Sequence, residues 1–245
     1  FHAQHVDHRE QAVLAAGRRD DLLLFSLADP RASQTYNPLM RGNSSELKDK
    51  IISSNIWSEV YYKKTSEIAT QGICHALQAL GRPVTFQSLL EHLRDIKKVE
   101  GMKQELEQKG IANSLESLLC AMDGKTRDLT GLIADLTAIV GSEFGPLMAA
   151  EEGEIDLLEA YKNRKIVLFQ LNTGLYQETA IRLARIIMQD IKTVSNHIQS
   201  YYKTEERHFF SVFIDEFASI AFDAFVELIS KARSAKMAIS IAHQS

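Results

Sequence analysis

Strand-length apolar runs alternate with amphipathic helical repeats through the last third of the chain. Apolar runs stand at 165–172, 208–216 and 237–242, and helical repeats at 176–198 and 222–233 separate them. An alternation of strand and helix predicts parallel strands joined by right-handed crossovers, with helices covering both faces of the sheet. The pattern therefore predicts an α/β fold for this part of the chain.

The first 45 residues carry the same α/β character. The stretch "REQAVLAA" (9–16) predicts a helix that ends at Gly17, and "DLLLFSLA" (21–28) predicts a strand. The segment 29–45 is dense in Pro, Asn, Ser and Gly, which predicts a long structured loop. Loops of this length in compact domains usually serve a function or are ordered by their neighbours.

Between these two parts, residues 46–161 show helical periodicity with almost no strand pattern. One helical face after Thr85 is marked by four apolar residues at i, i+3, i+4 and i+7: Phe86, Leu89, Leu90 and Leu93. We therefore predict an α/β domain in two parts, 1–45 and 162–245, which an all-α domain at 46–161 interrupts.

The composition limits the classes of protein to which this chain can belong. The chain has 245 residues and is 45% hydrophobic, enough for one large or two modest domains. Its 28 basic and 32 acidic side chains give a net charge of −4, so any contact with nucleic acid has to be local. Two distant cysteines, Cys74 and Cys120, argue against a zinc site and against a disulfide framework, and they favour a reducing compartment.

The sequence contains no apolar run of about 18 residues, so we expect no membrane span within it. It begins at Phe1 and ends directly after a predicted strand. We therefore expect the chain to be a piece of a longer protein.

Polar side chains follow three consecutive predicted strands. Asn172 ends the first, Asp215 and Glu216 end the second, and Gln244 follows the third. Because the carboxyl ends of parallel strands meet at one edge of a sheet, we expect these side chains at a common site. Neighbouring strand residues point in different directions, so Asp215 and Glu216 can have separate roles.

Two interpretations of the paired acids stay open at this point. Asp215 suits water-mediated coordination of Mg²⁺, and Glu216 could polarise an attacking water, as in nucleotide hydrolases. Alternatively, Asp215 caps the segment that follows and Glu216 is solvated. We predict no cluster of direct protein ligands to a metal.

A nucleotide hydrolase of this kind needs a phosphate-binding GxxxxGK[ST] loop. The nearest match is "GKT" at 124–126, but Leu119 stands where the first glycine should be, and the context is helix to helix. Gly124 is better explained as a helix stop. If the protein has a phosphate loop, we expect it before Phe1.

Several motifs occur together in one order. They are "LADPRASQTYNPL", "NRKIVLFQL" after the all-α segment, "IDEF", "KARS" after the next helix and "HQS" after the next strand. In this order they resemble the nucleotide-binding domain of the TraD/TraG family of type IV secretion and conjugation coupling proteins, with "IDEF" similar to a Walker B motif. The sequence departs from the family in lacking the Walker A loop and in having Lys236 where relatives often have Gly.

The resemblance implies a RecA-like parallel sheet of the P-loop NTPase type, and it implies ATP and Mg²⁺ as cofactors. By this resemblance Asp215 would coordinate Mg²⁺ through water, Glu216 would activate the hydrolytic water, and Gln244 would sense the γ-phosphate. Arg233 would reach a neighbouring subunit's site. The alternative for Arg233 is a surface residue near a helix C-terminus, where a cation is favoured. Asn172 is a weaker candidate for nucleotide contact.

The resemblance further implies an ATP-driven coupling protein that recruits DNA or protein substrates and translocates them into a type IV secretion channel. Its partners would be copies of itself in a hexamer, channel components, and relaxosome DNA or effector and adaptor proteins. It would work at the cytoplasmic face of the bacterial inner membrane, with an anchor outside this chain. Two alternatives are an FtsK/HerA-like DNA translocase and a catalytically silent effector or adaptor receptor.

Overall fold

The computed structural model describes residues 8–112, 115–122, 126–172, 174, 177–215, 217 and 223–242. Its strands are β1 (Leu22–Ser26), β2 (Ile166–Gln170), β3 (Phe210–Ile214) and β4 (Met237–Ile241). Its helices are α1 (His8–Ala15), α2 (Ser44–Ile52), α3 (Val60–Ala79), α4 (Phe86–Arg94), α5 (Ile96–Gln108), α6 (Leu115–Met122), α7 (Thr130–Val140), α8 (Leu157–Lys162), α9 (Gln177–Tyr201) and α10 (Asp223–Ala232). None of the helices in these ranges is long and apolar enough to cross a membrane.

The strands form two parallel ladders rather than the one continuous sheet that the sequence predicts. β1 pairs with β2 from Leu22 opposite Ile166, and β3 pairs with β4 from Phe210 opposite Met237. The backbone N–H of His208, just before β3, donates to the Tyr161 hydroxyl at 2.8 Å instead of joining a strand. Alternation in the sequence predicts parallel pairing, but it does not specify which strands share hydrogen bonds.

The two ladders nevertheless run side by side in the same direction. Near their beginnings, Arg164 lies 3.4 Å from His208, and the ring of Tyr161 in α8 packs on Phe210 with a centroid distance of 5.3 Å. Beyond the end of β2, Leu171 packs against the core to which Ile214 at the end of β3 belongs. The carboxyl ends of both ladders therefore lie at the same edge.

The long loop after β1 is ordered by that strand, as expected. The side-chain oxygen of Gln34 accepts from the Leu24 backbone N–H at 2.7 Å, and the backbone N–H of Gln34 donates to the Leu24 carbonyl at 2.8 Å. Ser33 Oγ accepts from the Ser26 N–H at 2.9 Å. These bonds occupy the outer edge of β1, and residues 36–39 further along the loop are buried.

The segment between β1 and β2 is largely helical. Thr85 caps α4, and the four apolar residues of its predicted face are all buried: Phe86, Leu89, Leu90 and Leu93. The core of this helical segment continues into β1 through Phe25 and into α9 through Leu183. Because the core is continuous, the boundaries at 45 and 162 stay a prediction.

Helix α9 lies between the two larger hydrophobic cores of the described residues. Leu183 and Ile187 on one face join the large helical core, while Ala184 and Met188 on another join the core of β3, β4 and α10. Further along α9, Val194 and Ile198 join a third, smaller cluster with α8.

An ion cluster fixes α10 to α9. Glu227 on α10 accepts from Lys192 of α9 at 2.5 Å and from Lys231 at 2.7 Å. The hydrogen bond from Lys192, followed by that from Lys231, lowers the pKa of Glu227 to about 2.

The lowered pKa of Glu227 predicts a pH dependence of stability. A carboxyl with a lower pKa in the folded chain stabilises it above the unfolded value, near 4.5, and loses that contribution as the pH falls towards about 2. Because the side chain is 46% exposed, solvent screening limits the contribution to roughly 1 kcal/mol. We expect Glu227→Gln to lower the free energy of unfolding near neutral pH and to match the wild type near pH 2, measured by denaturant titration. The exposed Glu205→Gln variant is the control, and a difference between Glu227→Gln and wild type that is constant with pH would contradict the prediction.

Candidate functional site

Asp215 lies where the sequence predicts it, directly after a buried strand end. Ile214 is buried in the core beside α9 and α10, and Asp215, the next residue, is exposed. A carboxylate in this position avoids the cost of burying an unpaired charge, and it can meet a hydrated cation from solvent.

The backbone around Asp215 is held on both sides. The Ile214 carbonyl accepts from the Ala242 N–H at 2.8 Å, and the Phe217 N–H donates to the Ala242 carbonyl at 3.3 Å. The Phe217 ring packs on Phe225 of α10 at a centroid distance of 4.4 Å. The pairing of β3 and β4 thus continues past Asp215 and fixes the position of this acid at the edge.

Asn172 lies beyond the end of β2, at the same edge as Asp215. Its backbone takes the left-handed conformation with φ of 45°, which Asn tolerates better than most residues. This conformation turns the chain out of the strand. Contact between Asn172 and a nucleotide stays a prediction.

Glu216 and Gln244 lie outside the described residues, as does Gly124 of the rejected phosphate-loop match. Their predicted roles therefore stay predictions.

Arg233 is not at this edge within its own chain. It begins the short turn Arg233–Ala235 that leads into β4, so it lies at the amino end of the ladder, whereas Asp215 lies at the carboxyl end. Five residues of strand separate the two ends by roughly 17 Å. In a parallel ladder a residue before one strand and a residue after its neighbour lie at opposite ends. The role of Arg233 in a neighbouring subunit's site stays a prediction.

The turn that Arg233 begins ends in a backbone conformation that favours Gly. Lys236 has φ of 56° and ends the turn in the left-handed conformation. A side chain in this conformation costs about 1 kcal/mol or more, and other contacts in the turn offset that cost.

The described part of the chain contains no group of three or more His, Cys, Asp or Glu side chains placed to hold a metal. A single exposed carboxylate suits Mg²⁺ that keeps most of its waters, which is the coordination Mg²⁺ usually adopts beside nucleotide phosphates. The donor set at this edge therefore fits a water-mediated Mg²⁺ site.

The sequence analysis did not predict a buried network that joins the loop after β1, α2 and α9. Lys50 of α2 is 1% exposed, and its ammonium group donates to Asp190 of α9 and to the carbonyls of Pro38 and Arg41, each at 2.7 Å. Tyr36 donates to the other Asp190 oxygen at 2.7 Å. Burial, and then the charge of Asp190, raise the pKa of Tyr36 well above its usual range.

All three ammonium protons of Lys50 are therefore used, and both oxygens of Asp190 are occupied. The network joins three segments that are distant in sequence: the loop after β1, helix α2 and helix α9. A lysine on the apolar face of α2, between Leu47 and Ile51, was the available signal.

The sequence matches no protein-family profile and no curated protein. Solved structures of a bacterial conjugative coupling protein, TrwB, do match in fold. The structure with ADP and Mg²⁺ has a TM-score of 0.60 at 15% identity, and the match covers 93% of this chain and 53% of that one.

Two further TrwB structures give the same result. The complex with the non-hydrolysable GTP analogue GDPNP has a TM-score of 0.58 at 15% identity, with 93% and 53% of the two chains covered. The unbound form has a TM-score of 0.59 at 14% identity, with 93% and 52% covered. This chain thus spans about half the length of the solved structures that it matches. The resemblance indicated by the motifs is confirmed at the level of the fold.

Proposed function

We propose that this chain is part of the ATP-hydrolysing motor of a coupling protein, which recruits DNA or protein substrates and translocates them into a type IV secretion channel. The observation that carries the proposal is Asp215. It is an exposed acid at the carboxyl end of a parallel strand, in a fold shared with structures of a coupling protein bound to ADP and Mg²⁺ or to GDPNP. Ligands of parallel α/β folds bind at such an edge.

In this proposal each side chain at the edge has a separate role. Asp215 holds a water of the hydrated Mg²⁺, and Asn172 contributes a polar contact beside it. Glu216 accepts a proton from the attacking water, and Gln244 hydrogen-bonds at the γ-phosphate. Mg²⁺, when bound, supplies positive charge against the phosphate oxygens. The phosphate-binding loop would come from a part of the longer protein outside this sequence.

The same proposal assigns the partners and the location. Arg233, which lies far from Asp215 in its own chain, would act in the site of a neighbouring subunit of a hexamer. The longer protein would be anchored in the bacterial inner membrane, with this segment at the cytoplasmic face beside the secretion channel. Its cargo would be relaxosome DNA, or effector and adaptor proteins.

The experiment that tests the proposal measures ATP hydrolysis by the intact protein, followed by substrate transfer from cells in which the native gene has been deleted. We expect Mg²⁺-dependent turnover that stops when the metal is chelated by EDTA and returns when Mg²⁺ is added back. Transfer that persists without any ATP turnover would instead indicate the silent receptor. Translocation on naked duplex DNA without any secretion partner would indicate the FtsK/HerA-like activity.

A further inference from the structure

The turn that carries Arg233 is fixed by the guanidinium group of Arg207. Its Nη1 donates to the Ser234 carbonyl at 2.6 Å, its Nη2 to the Gln199 carbonyl at 3.0 Å, and its Nε to the Tyr202 carbonyl at 3.0 Å. Three nitrogen atoms thus bind three backbone carbonyls, two of them at the C-terminal end of α9. A cation is favoured there because the last carbonyls of a helix lack partners within the helix.

Two further contacts complete the unit. Ser234 Oγ donates to Gln199 Oε1 at 3.0 Å, and Lys236 Nζ donates to the Arg207 carbonyl at 3.1 Å. The end of α9, the start of β3 and the turn before β4 are therefore bound together. Arg is suited to this position because its planar fork of donors can serve several acceptors at fixed angles, which Lys cannot.

The turn presents Arg233 on a rigid base. Ala235 within the turn is fully buried against the neighbouring core, whereas Arg233 is exposed. Among the described acidic residues, none forms an ion pair with Arg233. An exposed charged side chain on a backbone that is held in place suits a group that must meet a ligand outside its own chain.

We propose that Arg207 is a positioning residue for Arg233. It holds the turn at 233–236 against α9. It thereby fixes the position from which the Arg233 guanidinium reaches the nucleotide phosphates of a neighbouring subunit. This inference rests on the proposed function, because it requires ATP hydrolysis in an assembly of several copies.

The first test compares Arg207→Gln with wild type in the intact protein. We expect kcat for ATP to fall about 100-fold, because a displacement of about 1 Å in a group that stabilises charge has an effect of this size. KM should stay unchanged, since Asp215 lies at the other end of the ladder. Arg207→Lys should restore part of kcat, and the nearby exposed Lys203→Gln variant is the matched control.

A double-mutant cycle separates positioning from general stabilisation. If Arg207 acts through Arg233, then Arg207→Gln should cause no further loss of kcat in an Arg233→Ala background. If the losses of kcat from the two substitutions multiply in the double variant, the inference is overturned. It is also overturned if kcat and the melting temperature of Arg207→Gln fall together and Arg207→Lys does not rescue them. If Arg207→Gln does not fold, Gln199→Leu removes the second set of contacts, and a several-fold fall of kcat with unchanged KM is expected.

Mixing two variants tests action between subunits. Arg207→Gln subunits keep Asp215, and Asp215→Asn subunits keep the fixed Arg233 turn. Random mixing of the two variants in a ring should restore about a quarter of the wild-type turnover. In one interface out of four, a subunit with Asp215 then meets a subunit whose Arg233 turn is held in place. No recovery would overturn the inference while the proposed function stands. A wild-type protein without ATP turnover would overturn the proposed function itself.

Discussion

Replacing Asp215 by Asn in the intact protein is expected to lower ATP turnover by a factor of about 100 to 1,000. Asn has nearly the same shape, so the pairing of β3 with β4 around Ile214 and Ala242 should be unchanged. The negative charge that would attract hydrated Mg²⁺ to this edge in the proposed function would be lost. Turnover should be measured at several Mg²⁺ concentrations, because higher Mg²⁺ should recover part of the activity if the acid acts through the metal.

Two further variants make the Asp215 experiment specific. Glu205→Gln removes an exposed acid from the loop before β3, at the opposite end of that strand, and should leave turnover unchanged. Glu216→Gln should abolish turnover and substrate transfer but retain ATP binding, since its predicted role begins with the attacking water. If Asp215→Asn kept full turnover at low Mg²⁺, Asp215 would not be the acid that holds the metal.

The periodicity of the sequence was sufficient to predict the elements of the site. The apolar run before Asp215 forms β3, the repeat at 222–233 contains α10, and the run at 237–242 contains β4. Each of these predictions depends on the local spacing of apolar residues, because the spacing of the residues that must be buried on one face decides between strand and helix. The exposed position of Asp215 at a strand end followed from the same pattern.

Long-range pairing could not be predicted in the same way. The sequence does not specify that β1 pairs with β2 while β3 pairs with β4, because hydrogen bonds between strands leave no periodic signal. For the same reason the order of motifs does not specify that Arg233 and Asp215 lie at opposite ends of the ladder formed by β3 and β4. The contacts of Arg207 were equally hidden, because its acceptors are backbone carbonyls that every residue has.

Lys50 illustrates a different limit of sequence reasoning. A lysine in an otherwise apolar helical face could lie at the surface with its stem covering apolar neighbours, which is the common case. The structure buries its ammonium group because Asp190, 140 residues later, stands opposite it. Such a pair depends on the packing of α2 against α9, which no local pattern describes.

Replacing Lys50 by Met is expected to lower the free energy of unfolding by about 3–5 kcal/mol. Met fills a similar volume, but Asp190 would keep its buried charge and lose the ammonium group that neutralises it, while the Tyr36 hydroxyl stays as a hydrogen-bond donor. The Pro38 and Arg41 carbonyls would lose a donor as well. For a chain of this size the loss corresponds to a fall of roughly 10 °C in melting temperature, which calorimetry on the purified protein can measure.

A second substitution identifies the cause of that loss. Lys50→Met combined with Asp190→Leu removes both charges, and it should recover most of the stability, because two apolar side chains in a buried site leave no unpaired charge. Tyr36→Phe alone should cost only about 1 kcal/mol, since Lys50 still neutralises Asp190. If the double variant were no more stable than Lys50→Met, the network would stabilise the fold through its bonds to the Pro38 and Arg41 carbonyls instead. The loop after β1 would then be the part of the molecule that depends on Lys50, and the ion pair with α9 would be secondary.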